Sequence, residues 1–471
     1  MPKRKLLGIT VMPEYLQTES IERVLDNLVK MGATAVATSP YVMAPADEKT
    51  GSREPPDDAG AGQVRLLDRP LWGKRELFVR TAPSFVPEAK LYRGLRYQPA
   101  PPSDLTHKQG PILRDFVRAA QGRHLKVYIQ VQAAIPPGYR VQFGGPEEAD
   151  RPRLPDGSMP PRRLAKNGSL ASPHIRDYIH ALTRDLCRAY PDINGFRYDW
   201  PEYPPYFLDD VFLDFGTPAR EAAQRLGFDF ARMQRQAAAL YKLTHGGLTD
   251  AHLAPFIQGD GGCFFLVRRL SDHPGLGDWL RFKAVLVEEL LAGLRRVLTE
   301  AGGKDKEMMP NAFPPPFTLA SGFDFARAAP HCSGISVKLY SMHWAMMLRF
   351  YGDVLRKANP GLSERVLVRA LVKLFDIADD DGLPRLEDYH YPEPNETHPA
   401  GTQAQARKIA QAQADAGATP VYALAHGYGR ADDFRRRLQT AWSAARAGIW
   451  INRYGYLSDE KIKIVGEVCR E

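Results

Sequence analysis

The stretch LLGITVMPEYLQTESIERVLDNLVKMGATAVATS, running from Leu6 to Ser39, decides how the fold is read. Leu7–Val11 is short, apolar and β-prone, Ile21, Val24, Leu25 and Leu28 recur at helical spacing, and Ala35–Ser39 is a second short apolar run. Thr18 or Ser20 can cap the helix by accepting its free N–H groups, and Gly32, which tolerates left-handed backbone, can end it. A strand, a helix and a strand at this separation form a parallel crossover unit, the mark of an α/β protein. A doubly wound sheet would place a glycine-rich phosphate turn after its first strand, whereas Thr10–Glu14 holds no glycine and the later Gly427-Tyr428-Gly429 lacks the third one.

Outward from this unit the alternation repeats. A helix over Ile112–Ala120 precedes the strand Lys126–Val131, and Ser172-Pro173 opens a helix with Ile175, Tyr178, Ile179, Leu182 and Leu186 on its buried stripe before the strand Ile193–Tyr198. A long helix bearing Trp279, Phe282, Leu286 and Leu290 leads to Met308–Phe313; Gly334–Tyr340, Val421–Leu424 and Ile449–Ile451 follow, and Ser458 caps a last helix. Eight such strands predict a (β/α)8 TIM barrel spanning 1–471 as a single domain. Insertions at about 42–110, 135–172 and 201–275 follow the second, third and fourth strands, on the C-terminal face where barrels of this kind build their sites. A deep or lidded cleft for a ligand larger than a metabolite is expected there.

Composition narrows the function classes. With 471 residues, 44% hydrophobic and 25% charged, the chain can bury a large core and is neither disordered nor fibrous. Its 39 glycines and 39 prolines cluster between the periodic segments, which predicts long irregular loops. The net charge of +8 is dispersed, with no basic run interleaved with aromatics and no CxxC spacing, so it points to solubility and not to nucleic acid. Cys187, Cys263, Cys332 and Cys469 lie far apart without metal or redox spacing, as expected of reduced thiols in a cytoplasmic protein. The apolar Leu6–Met12 after Lys3, Arg4 and Lys5 stops at Pro13-Glu14, and no apolar run reaches the about 18 residues of a membrane span. No cofactor or metal is expected, because HxH after the first strand, HExxH and GxSxG are all missing.

The chemistry concentrates in Asn194-Gly195-Phe196-Arg197-Tyr198-Asp199-Trp200-Pro201-Glu202-Tyr203, where an apolar strand ends in a carboxylate, an aromatic and a second carboxylate. Alternation puts Arg197 and Asp199 on one side of the strand, so Arg197 can sit below Asp199 inside the barrel and hold it ionised. An ionised carboxylate at a strand end suits a nucleophile or a stabiliser of a glycosyl cation. Gly195-Phe196-Arg197-Tyr198-Asp199 resembles the fourth-strand motif of α-amylase-type and related barrel glycoside hydrolases, whose strand ends in the nucleophilic aspartate, and Asn167-Gly168-Ser169-Leu170 resembles their lead-in. The wider pattern looks like an uncharacterised, hypothetical glycoside hydrolase branch of that superfamily. The resemblance implies Asp199 as nucleophile or charge stabiliser. An α-amylase would carry its acid as a glutamate ending the fifth strand and a His-Asp pair after the seventh, where this chain has Pro310-Asn311-Ala312-Phe313 and Ala425-His426-Gly427.

The acid must therefore come from elsewhere: Glu202 leads, followed by Glu14 at the end of the first strand and Asp324, which caps a helix equally well. Sugars need aromatic faces together with hydrogen-bonding groups. Strand ends supply Tyr15, Tyr41, Trp200, Tyr203, Tyr340, Trp344 and Tyr454 for the first, and Gln130, Gln132, Lys338, His343, His426, Asn452 and Arg453 for the second. Trp344 and Trp450 fit ordinary helix–barrel packing as well. Three readings follow: a glycoside hydrolase or transglycosidase acting on an oligo- or polysaccharide, a carbohydrate-binding or regulatory barrel without an acid, and a lyase or isomerase using Lys338 and Tyr340.

Overall fold

In the computed structural model, which describes residues 4–57, 65–257 and 261–470, the opening unit forms as its pattern dictates. Leu6–Thr10 (β1) is followed by the helix Ile21–Met31 and by Ala35–Thr38 (β2). Ser20 Oγ accepts the Arg23 N–H at 3.3 Å, and Gly32 ends the helix at φ +75°. Between β1 and this helix Pro13–Glu19 adds a short helix, Pro13 serving as its first residue, where the missing N–H costs nothing.

The remaining strands are Lys126–Gln132 (β3), Gly195–Asp199 (β4), Glu307–Met308 continued by Asn311–Ala312 (β5), Ile335–Leu339 (β6), Val421–His426 (β7) and Gly448–Asn452 (β8). Every neighbour pairs in parallel, β1 pairs with β8, and the ring closes through β4 and β5 into an eight-stranded barrel surrounded by helices. β5 is split because Pro310 has no N–H to give to the ladder.

The strand parity defines a lumen. Tyr128, Tyr422, Leu424, Met309 and Trp450 form an inner cluster with Ala35 and Ala37, so Trp450 fills the barrel and does not pack against its outer helices. Gly8 makes room for it: a Cβ there would stand 2.3 Å from the indole. The Arg197 guanidinium lies 3.8 Å from the Trp450 ring, a cation on an aromatic face within a closed lumen.

The first insertion folds into an antiparallel sheet of Tyr41–Ala46, Ser52–Glu54 and Leu77–Pro83, and the third supplies helices that include Phe230–Lys242 and Gly261–Asp272. A further long excursion, not separated out by its sequence pattern, lies between β6 and β7 and carries the helices Ser341–Ala358, Glu364–Phe375 and Thr402–Ala416. Cys187, Cys332 and Cys469 are free thiols, while the Cys263 side chain lies outside the described residues. Among the described residues no helix is long and apolar enough to cross a membrane.

Candidate functional site

Asp199 ends β4 at the C-terminal mouth of the barrel with 17% of its side chain exposed. Its direct cation is Lys338 of β6, whose Nζ stands 2.7 Å from Asp199 Oδ1. Asn311, in register with Asp199 across the β4–β5 pairing, donates Nδ2–H to the same oxygen at 3.4 Å. Arg197 reaches the carboxylate through this amide, its Nη2 donating to Asn311 Oδ1 at 2.5 Å. Burial pushes the Arg197 guanidinium down to about 9. Lys338 as an ion pair and Asn311 as a long hydrogen bond thus both meet Oδ1, and no hydrogen bond to Oδ2 is found among the described residues.

Glu202 is fully buried behind this pair. Its Oε1 accepts the Phe313 N–H at 2.7 Å and its Oε2 the Ser321 hydroxyl. Burial raises its pKa to about 7 against the opposing pull of the Lys338 ammonium. Glu14 is equally buried and lies in a separate ionic cluster: Arg140 Nη1 donates to its Oε1 at 2.9 Å and the Tyr41 hydroxyl to its Oε2 at 3.0 Å. Glu54, from the first insertion, joins that cluster by accepting from Arg140 at 2.7 Å and from Arg453 at 2.6 Å. Burial and the adjacent Glu54 charge push Glu14 up to about 8. Asp324 caps the helix Phe325–Ala328 by accepting the Arg327 N–H.

The structure gathers many of the sugar-binding candidates around Asp199. Lys338 Nζ lies 5.1 Å from the Trp200 ring, and Gln130 Oε1 accepts from Asn311 at 3.3 Å. Tyr340 packs edge-on to His343 at 5.5 Å and to His426 at 5.0 Å. The Tyr206 hydroxyl lies 3.4 Å from His343 Nδ1, and Asn452, which ends β8, lies near the Tyr340 phenol. His426 Nδ1 accepts the Tyr428 N–H at 3.1 Å; burial and the nearby Arg65 charge hold the ring well below its ordinary pKa, so its single proton resides on Nε2. Arg453 belongs to the Glu54 cluster, and Gln132 is buried with its Oε1 unpartnered.

Besides Tyr41 and Arg453 in the Glu14–Glu54 cluster, four further candidates stand apart from Asp199. Trp344 is buried with Lys408 of the helix Thr402–Ala416 at 5.1 Å from its ring. Tyr454 bonds Asn27 and Glu19, Tyr15 donates to the Arg69 carbonyl, and the Tyr203 hydroxyl lies between Leu170 N and Asp214. Sequence reasoning did not pick out Glu54, Arg65, Arg140, Tyr206, Tyr391 or Tyr456 as site residues. They sit in insertions or loop turns, where no periodicity marks which charged or aromatic residues turn inward. Among the described residues no group of three or more His, Cys, Asp or Glu side chains is placed to hold a metal ion.

No protein-family model matches the sequence, and no curated protein matches it. Solved structures do resemble it. The PgaB (BpsB) glycoside hydrolase domain from Bordetella bronchiseptica aligns over 99% of both chains with a TM-score of 0.51 at 11% identity. The β-galactosidase from Bacillus circulans sp. alkalophilus aligns over all of this chain and 56% of its own, with a TM-score of 0.52 at 9% identity. The β-galactosidase from the psychrophilic Marinomonas ef1 aligns over 99% of this chain and 59% of its own, with a TM-score of 0.51 at 11% identity. The likeness is one of fold alone: the chain shares a (β/α)8 barrel with these structures.

Proposed function

We propose that the barrel cleaves or transfers a glycosidic bond of an oligo- or polysaccharide, with Asp199 as the nucleophile or cation-stabilising carboxylate. The observation that carries this reading is the one-sided engagement of Asp199: Lys338 and Asn311 fix Oδ1, and Oδ2 is left for an anomeric carbon at a partly open barrel mouth. Glu202 is the leading acid. With a pKa of about 7 it holds a proton near neutrality, as a general acid must, and its delivery to a leaving oxygen requires the Ser321 contact to open. The aromatic and imidazole groups near Asp199 provide stacking faces and donors for sugar hydroxyls.

A panel of α- and β-linked glycosides assayed with wild type and Asp199→Asn tests this reading. Turnover by wild type and its loss in the variant, with fold and sugar affinity retained, is the expected result. Turnover retained by the variant would overturn it. The burial of Glu202 and Glu14, each held by protein donors, favours a second reading, a carbohydrate-binding barrel without hydrolytic activity. Sugar binding by wild type without turnover of any member of the panel would establish that reading instead.

A further inference from the structure

We propose that Tyr456 and the donors around it form a carboxylate subsite, so that the carbohydrate taken by this barrel is an acidic one of the uronic type; this rests on the carbohydrate reading above. Three donors surround the Tyr456 ring. The Arg65 guanidinium lies 5.1 Å from its centroid, that of Arg453 5.3 Å, and the His426 ring 5.2 Å. Arg65 is buried at 5% exposure and its Nε donates to the Tyr456 hydroxyl. Among the described residues no carboxylate pairs with it, whereas Arg140 pairs with Glu14 and Glu54, and Arg453 with Glu54. A buried cation without a counter-charge is costly, and a planar guanidinium is built to accept a carboxylate.

Two further donors point to the same ligand. Arg453 Nε is buried with no partner, and His426 keeps its proton on Nε2 because Nδ1 is occupied by the Tyr428 N–H. The subsite adjoins the reaction centre: the Tyr340 ring lies 5.0 Å from His426, and its phenol feels both the Asp199 and the Arg65 charges. An acidic sugar bound there would present its carboxylate to Arg65 on one side of Tyr340 and its ring to Asp199 on the other.

Calorimetric titration of the full chain with D-glucuronate, D-glucose and acetate at low salt tests the proposal, alongside turnover of p-nitrophenyl glucuronides and glucosides. Glucuronate is expected to bind at least tenfold more tightly than either glucose or acetate. That preference should collapse by tenfold or more in Arg65→Gln and survive in part in Arg65→Lys, circular dichroism confirming that both variants fold. In wild type the preference should also fall as NaCl is raised, a readout that needs no variant. Equal affinity for glucuronate and glucose, or a preference that survives in Arg65→Gln, overturns the subsite; acetate binding as tightly as glucuronate overturns its assignment to a sugar. Turnover of neutral glycosides with no acidic preference refutes the subsite and leaves the glycosidase reading standing. An acidic preference without turnover of any glycoside refutes only the glycosidase reading.

Discussion

Glu202 shows how a single buried side chain carries both chemistry and a stability signature. Its pKa in the folded chain, about 7, is raised above the ordinary 4.5, so the native state binds the extra proton between those values. The stability this proton confers is whole below about 4.5 and is lost as pH rises through about 7. Glu202→Gln mimics the protonated form, its amide oxygen still accepting from Phe313 and its NH2 donating to Ser321. Wild type should lose on the order of 2 kcal/mol relative to the variant between about pH 5 and pH 8, read by urea denaturation at each pH. If Glu202 is the acid, kcat/KM should decline above about pH 7 in wild type, and the variant should be inactive throughout. His343 is a binding group in the same reading, packed against Tyr340 and beside the Tyr206 hydroxyl. His343→Ala is expected to lower kcat/KM by about 1–2 kcal/mol, the scale of a hydrogen bond lost to a bound hydroxyl, and steady-state kinetics on the best substrate checks it.

At the scale of elements, β1 and β8 are fitted to one another by a glycine and an indole. Gly8 pairs with Trp450 in the parallel ladder, and the indole covers the space a side chain at Gly8 would need. Because Trp450 also carries the Arg197 guanidinium, displacing it disturbs the groups beneath Asp199. Gly8→Ala should destabilise the barrel by about 1–3 kcal/mol in chemical denaturation, the usual cost of overpacking. Most strand positions were legible in the sequence because strands of a parallel barrel are buried on both faces and read as short apolar runs. Met308–Phe313 was legible as a strand, but its division around Met309-Pro310 emerged only in the ladder, where a proline cannot donate.

Across the whole molecule, the first insertion is fastened to the barrel by charge. Glu54 on the insertion's sheet accepts from Arg140, beyond β3, and from Arg453, beyond β8, so one carboxylate joins three distant parts of the chain. Removing it leaves the buried Arg453 without its carboxylate and Arg140 with Glu14 alone. Glu54→Ala is therefore expected to cost about 3–5 kcal/mol, measured as the shift of the urea unfolding free energy against wild type. In the sequence Glu54 stands among Arg53, Asp57 and other charged residues that look like a solvated loop.

By itself the sequence determined the order of the eight barrel strands, the barrel, and the shared facing of Arg197 with Asp199 and of Lys338 with Tyr340. These depend on local periodicity, in which each strand buries alternate residues whatever its partners are. Only the tertiary structure decided that Lys338 is the direct cation of Asp199, that Asn311 relays Arg197 to it, and that Trp450 faces inward. Only it brought Glu54 and Arg65 to buried positions. Those outcomes depend on which side chains meet across the closed ring and beneath the insertions, and residues 114 to 399 positions apart in the chain meet there with no periodic signal to announce them.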